Sequence, residues 1–326
     1  MTNRRRFLAA LSALVAASSA TGRARMPRIG YLLFSPLSET PTLERQAFLE
    51  GLREHGYVPG TNIEIVYQSA QNEAEFIDDI CQDLVAQKID LIVASGTIAV
   101  MAAKKCTSAL PVVIQALGDP IGIGAVRSLA RPEANLTGVT FLSSELSGKR
   151  VQLLEELVPA AKRVAVLWHG RNQNARVESV ATLEALKRLG MKPESLEVQS
   201  DADLPRWLDQ LKASRPDALY VAFEGGLVAG NRTYLAEFAL RERIPLISGW
   251  SFLTEAGGLM SYAPDIPSMF RRSASYVDRI LKGAKPGELP IEQATRVELV
   301  LNMKTAKSLG ITVPQSVLVR ADRVIQ

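Results

Sequence analysis

From Met26 onward, short β-rich apolar runs alternate with amphipathic helical patterns without a break, and this alternation restricts the chain to one fold class. RIGYLLF (Arg28–Phe34) predicts a strand. LERQAFLEGLREHG (Leu43–Gly56) predicts a helix, with Phe48, Leu49 and Leu52 on one face and Gly56 as its stop. NIEIVYQSA, IDLIVAS, PVVIQA and NLTGVTFL follow as strands, with helical patterns over Glu73–Gln87 and from Thr97 between them. IDLIVAS (Ile89–Ser95) runs apolar from Leu91 to Ala94 after Asp90, as expected of a strand covered on both faces. Strictly alternating strands and helices predict parallel sheets flanked by helices.

The pattern then restarts. RVAVLWH (Arg163–His169), SLEVQS, DALYVAF (Asp217–Phe223) and PLISG (Pro245–Gly249) are strands, each separated from the next by a helical pattern. No Gly/Ser/Pro linker divides the two sets, so two similar α/β lobes are expected to pack closely. The segment Pro290–Ile311 adds a crossover, a strand and a helix. LTEAGGLMSYAPD (Leu253–Asp265) reads as a joint: its glycines form a tight turn, LMSYA is a short strand, and Pro264 and Asp265 open a returning helix.

The N-terminus has a different character. Arg4–Arg6 precede an apolar segment of 14 residues, Phe7–Ala20, and Ser18 and Ala20 suit the −3 and −1 positions of a cleavage site. A basic start, a short apolar stretch and small residues predict a secretory signal peptide within residues 1–25, and NRRRFL resembles the twin-arginine export signal. The expected location is therefore periplasmic. Cleavage after Ala20 removes three arginines and no acid, which leaves 35 basic against 34 acidic residues and takes the net charge from +4 to +1. No basic block remains, so nucleic acid is not an expected partner. Cys81 and Cys106 both fall in helical patterns; in an oxidising compartment they pair or remain buried thiols.

In parallel α/β sheets ligands bind beyond the carboxyl ends of the strands, which nominates the strand-to-helix loops. Phe34 and Ser35, Gln71, Ser95-Gly96-Thr97 and Asp119 come from the first set. Asn172, Glu224, Trp250 and Phe252 come from the second. Backbone N–H groups and hydroxyls at Ser95–Thr97, where a helix starts, suit a carboxylate, although either hydroxyl also suits simple helix capping. Asp119 or Glu224 could hold an ammonium group, and Phe34, Trp250 and Phe252 could stack on a flat or apolar ligand.

Motifs for turnover are missing. There is no G-x-S-x-G elbow, SSELSGKR lacks the first Gly and the final Ser/Thr of a phosphate loop, and GIGAVR (Gly122–Arg127) has Arg127 where the dinucleotide fingerprint needs its third Gly. His55 and His169 have no His or Cys close in sequence, so no metal, no cofactor and no enzyme activity are expected.

The stretches FLEGLREHGYVPGTNIEIVYQSA, VASGTIAVMAAKK, DPIGIGAVRSLARPEANLTGVT, ELSGKRVQLLEELVP, EAGGLMSYAPD and ELVLNMKTAKSLGITVPQSVLVRADRVI, in this order, resemble the exported substrate-binding proteins of ABC transporters of the tryptophan/tyrosine type. That resemblance implies a type I periplasmic-binding-protein fold: two Rossmann-like α/β/α lobes with parallel sheets, joined by a three-crossover hinge. The lobes are expected to comprise residues 26–139 plus 264–291 and residues 140–263 plus 292–326. The crossovers fall near Val139–Thr140, Ser261–Ala263 and Glu292–Ala294, with Val139, Thr140, Tyr262 and Gln293 at the hinge. It also implies a monomeric receptor that takes an amino acid or similar small carboxylate and passes it to membrane permease subunits. HGRNQN after the sixth strand and EGG at Glu224 depart from the family's usual residues in the second lobe's half of the cleft. A ligand sensor for a membrane signalling protein and a secreted α/β enzyme are the alternative readings; a cytoplasmic repressor core is disfavoured by the export signal. N-terminal sequencing of the exported protein is expected to start at Thr21, and a start at Met1 would remove the signal-peptide reading.

Overall fold

The computed structural model describes residues 25–132, 135–222 and 227–326. The first round of elements is β1 (Arg28–Leu33), α1 (Leu43–Glu54), β2 (Glu64–Ser69), α2 (Ile77–Ala86), β3 (Leu91–Ser95), α3 (Thr97–Cys106), β4 (Val112–Leu117) and β5 (Leu136–Thr140). The second is α4 (Ser143–Leu157), β6 (Arg163–His169), α5 (Gln173–Arg188), β7 (Lys192–Val198), α6 (Leu204–Ser214), β8 (Ala218–Val221), α7 (Leu227–Gly230), α8 (Arg232–Arg241), β9 (Leu246–Ser248), α9 (Ser251–Glu255) and β10 (Met260–Pro264). The chain continues through α10 (Ile266–Leu281), β11 (Glu292–Gln293), β12 (Val297–Asn302), α11 (Met303–Leu309), α12 (Gln315–Leu318) and β13 (Arg323–Ile325). The long elements match the sequence periodicities. The expected signal peptide, residues 1–25, lies outside the described residues except for Arg25.

The elements form two sheets, ordered β11-β5-β4-β3-β1-β2 and β13-β12-β10-β9-β8-β6-β7. Both carry the same internal order. β1 lies between β2 and β3, and β6 lies between β7 and β8, so each sheet has a point where successive crossovers leave in opposite directions. All pairings are parallel except β10 with β12, which run antiparallel because β12 enters the second sheet from the crossover end. β3, β4 and β5 are buried almost throughout, whereas the edge strand β2 is half-buried along its length.

Alternate side chains of the first sheet feed two cores. Tyr31, Val93 and Val113 face Phe48 and Leu52 of α1 and Met269, Phe270 and Ala274 of α10. Leu32, Ile92, Ala94 and Ile114 face Cys81 and Leu84 of α2 and Val100 and Ala103 of α3. α10 follows a strand of the second sheet in sequence but packs on α1 of the first. Asp265 caps it by accepting from the Ser268 N–H at 3.1 Å, and Pro267 sits in its first turn, where its missing N–H costs nothing.

Three segments join the sheets side by side. Val139 and Thr140 pair with Glu292 and Gln293, and the Ala294 N–H donates to the Thr140 carbonyl at 2.6 Å. Pro264 pairs with Val297, and the Asp265 N–H donates to the Arg296 carbonyl at 3.2 Å. Two boundaries therefore differ from the sequence reading. Strand pairing holds Met260–Pro264 in the second sheet, so the chain crosses after Pro264 and not at Ser261–Ala263. Glu292 and Gln293 belong to the first sheet, so the last crossing begins at Ala294. Tyr262 is half-buried in β10 and packs against the second lobe's core.

The second core contains a fully buried charge. Arg150 on α4 donates from Nη1 to Glu178 Oε1 at 2.8 Å and to the Tyr220 hydroxyl at 3.0 Å, and from Nε to the Tyr262 carbonyl at 2.7 Å. Tyr220 donates to the same Glu178 oxygen at 2.8 Å, and burial raises its pKa, so it stays a neutral donor. Cys81 is buried and Cys106 half-buried, and both thiols are free. Glu178→Ala is expected to destabilise the protein by about 3–5 kcal/mol, since it strands a buried guanidinium, whereas Arg150→Met/Glu178→Leu is expected to lose much less. Chemical denaturation followed by circular dichroism compares the two, and equal losses would contradict this account.

Candidate ligand-binding site

A cavity of about 420 Å³ lies between the lobes. It opens where the order of the first sheet reverses, between β1 and β3, whose last residues Leu33 and Ser95 are level with each other. The first lobe contributes Phe34 and Ser35 after β1, Ser95-Gly96-Thr97 after β3 and Gly118 after β4. The second lobe contributes Asn172, Ala229, Gly230, Arg232, Trp250 and Phe252. Its volume falls in the range of small-molecule sites.

The polar pole is the start of α3. Gly96 occupies the cap position at φ 84° and offers no side-chain acceptor, so the α3 N–H groups keep their hydrogen-bonding capacity. The hydroxyls of Ser95 and Thr97 stand at the same turn and line the cavity. Two other helix starts near the cleft are closed: Thr42 accepts from the Arg45 N–H, and Asn172 accepts from the N–H groups of Asn174 and Ala175 at 3.0 and 3.2 Å. Asn172 therefore lines the cavity with its oxygen already committed, which leaves its amide NH₂ for a ligand.

The walls are aromatic. Trp250 and Phe252 stack with ring centroids 4.9 Å apart and planes 28° apart. Ser248 fixes the turn before them, donating to the Trp250 carbonyl and accepting from its N–H. Trp250 packs against cores of both lobes, so one side chain bridges the cleft. Phe34 after β1, Phe141 from the first crossover and Ile266 and Phe270 from α10 complete the apolar surface. Tyr31 lies behind it, its hydroxyl donating to Gln115 at 2.5 Å. Stacked rings and an apolar wall suit a flat or apolar ligand body.

Eight nominated residues thus meet at one cavity: Phe34, Ser35, Ser95, Gly96, Thr97, Asn172, Trp250 and Phe252. Asp119 does not join them. Its carboxylate accepts from the Gly122 N–H at 2.8 Å and from the Ser144 hydroxyl at 3.0 Å, so it pins the loop after β4. Gln71 lines a separate polar cavity of about 340 Å³ beside the first, together with Glu75, His169 and Arg171. Glu224 lies outside the described residues. Val139 and Thr140 stand at the end of β5 under the first crossover, where Thr140 donates to the Leu117 carbonyl at 2.7 Å. Among the described residues, no group of three His, Cys, Asp or Glu is placed to hold a metal ion, and no helix is long and apolar enough to cross a membrane.

Sequence reasoning missed Arg45, Phe141, Phe270 and Arg232. Arg45 did leave a signal: it stands three residues before Phe48, on the apolar face of α1, where a charge is out of place. Phe141 directly follows β5 but was hidden inside the predicted strand Asn135–Leu142, and Phe270 had no signal because it lies in a helix and not in a strand-end loop.

The model of the family described as ABC transporter substrate binding protein matches residues 38–325. The chain belongs to that family. Its fold is that of the type I periplasmic binding proteins, and the family is one of ligand-binding transport proteins, not of enzymes. A tyrosine-binding protein of Clostridioides difficile is 26% identical over 280 residues, covering 85% of this chain and 80% of that one. The crystal structure of an ABC domain in complex with L-Trp from Streptococcus pneumoniae is 27% identical, covers 92% of this chain and 99% of its own, and superposes with a TM-score of 0.85. A ligand-free, open substrate binding protein with adhesive properties from Clostridium difficile is 26% identical over the same 92% of this chain and 99% of its own, with a TM-score of 0.65.

The lobes touch closely at Gly118, where a Cβ would meet the Asn174 side chain at 2.0 Å. Asn174 is buried and accepts from Ser143 at 2.9 Å, so it has little room to withdraw. Gly118→Ala is expected to hold the lobes apart and weaken ligand binding at least tenfold, with melting of the ligand-free protein nearly unchanged. Calorimetric titration beside a thermal melt measures both, and wild-type affinity in the variant would contradict the close approach.

Proposed function

We propose that this protein is the exported solute receptor of an ABC importer and that it captures an aromatic amino acid or similar small carboxylate between its lobes. The observation that carries the reading is the pairing, in one interlobe cavity, of an uncapped helix start at Ser95-Gly96-Thr97 with stacked aromatic rings at Trp250 and Phe252. The carboxylate sits on the α3 N–H groups and the two hydroxyls, favoured by the helix dipole. The apolar body lies against Phe34, Trp250 and Phe252. Relatives that bind tyrosine and L-Trp support this class of ligand.

Residues 26–140 with 265–293, and 141–264 with 294–326, act as two bodies that close by a hinge at Val139, Thr140 and Gln293. Greater similarity to the L-Trp complex than to the open, ligand-free relative supports the view that the geometry described above is the closed form. Trp250, packed against cores of both lobes, is the side chain whose contacts closure would complete. The signal peptide places the mature monomer in the periplasm, where the closed form meets permease subunits. Glu224 remains the proposed holder of a ligand ammonium group; Asp119, already bonded, does not.

A thermal-shift screen of the mature protein against amino acids, small acids, sugars and nucleosides tests the reading. An aromatic amino acid or aromatic acid at a hundredfold excess over its Kd is expected to stabilise by ~2.7 kcal/mol. Ser95→Ala/Thr97→Ala is expected to weaken that ligand roughly ten- to a hundredfold through lost charge-assisted hydrogen bonds. Unchanged affinity in the double variant would remove the carboxylate assignment.

A further inference from the structure

Arg45 is the one charged side chain of the cavity that the reading above does not use and that is more than nine-tenths buried, at 6% exposure. It projects from the first turn of α1, on the face of the first sheet opposite α3. Nη2 donates to the Ser38 carbonyl at 2.5 Å, and the guanidinium lies 5.7 Å from the centre of the Tyr67 ring. Those are its recorded contacts: among the described residues no carboxylate forms an ion pair with it. Arg150, fully buried in the second lobe, has Glu178 as its counter-charge. A buried guanidinium whose remaining donors meet no anion is costly, and a ligand anion would lower that cost.

The charges around the cavity point the same way. The described lining carries two cations, Arg45 and the exposed Arg232, against one half-buried carboxylate, Glu44. The start of α3 adds a third element that favours negative charge, on the far side of the sheet from Arg45.

We propose that Arg45 is a second anion-holding residue of this cavity, and that its preferred ligands carry a carboxylate at each end of a short apolar or aromatic body. One carboxylate sits on Ser95–Thr97 and the other pairs with Arg45 through the planar fork that suits a carboxylate. This rests on the interlobe reading of the cavity and narrows its ligand class from carboxylates to dicarboxylates.

The test uses two pairs of probes that differ by one carboxylate: 3-phenylpropionate with 3-(4-carboxyphenyl)propionate, and L-phenylalanine with 4-carboxy-L-phenylalanine. Titration calorimetry on the mature protein is expected to show the dicarboxylate member at least tenfold tighter in one pair. Arg45→Met is expected to reduce that ratio to about one, Arg45→Lys to retain part of it, and Ser95→Ala/Thr97→Ala to weaken both members alike. A ratio unchanged in Arg45→Met overturns the role of Arg45 and leaves the carboxylate site at Ser95–Thr97 standing. A ratio near one in the wild type overturns the dicarboxylate preference. Failure of all four probes to bind the wild type overturns this inference and the interlobe reading together. A readout independent of any ligand is the melting temperature without ligand: Arg45→Met is expected to equal or exceed the wild type. A clear fall in Arg45→Met that Arg45→Lys does not share would assign the side chain to holding the Ser38 loop and overturn the proposal.

Discussion

A parallel sheet covered by helices on both faces spends nearly all its backbone hydrogen-bonding capacity internally, and the carboxyl ends of its strands become the places left for a polar ligand. In this protein two such sheets present those ends to each other. Each sheet reverses its strand order, at β1/β3 and at β6/β8, and the reversals splay the following loops apart. The cavity at Ser95–Thr97 and Trp250 follows from that arrangement. It also explains why residues scattered from Tyr31 to Phe270 form one surface.

Two deeply buried arginines among the described residues are treated differently by the fold. Arg150 is surrounded: Glu178 neutralises it, and Tyr220 and the Tyr262 carbonyl take further donors. It ties α4 to α5 and to the strand that leads into the second crossover. Arg45 has a carbonyl and an aromatic face and no counter-charge among the described residues. The same side-chain chemistry is structural where a counter-charge meets it and receptive where none does.

The sequence carried the alternation of elements, and most of the cleft with it. Ser95-Gly96-Thr97, Phe34, Asn172, Trp250 and Phe252 were legible because strand-end loops are local features. Asp119 satisfied the same rule and yet is spent on the Gly122 N–H and the Ser144 hydroxyl, a use that depends on how the loop after β4 folds back on itself and meets α4. Gln71 likewise sits at a strand end, but in the edge strand β2, and it reaches the neighbouring polar cavity instead.

By itself, then, the sequence determined the class of fold, the repeated lobe and the loops that face the cleft, because hydrophobic periodicity and strand-to-helix order are properties of short stretches. Tertiary structure alone decided three things: that α10 lays Phe270 against the cavity, that the chain crosses after Pro264 and Gln293, and that Arg45 meets no carboxylate among the described residues. Each depends on contacts between residues far apart in the chain, which no local pattern encodes.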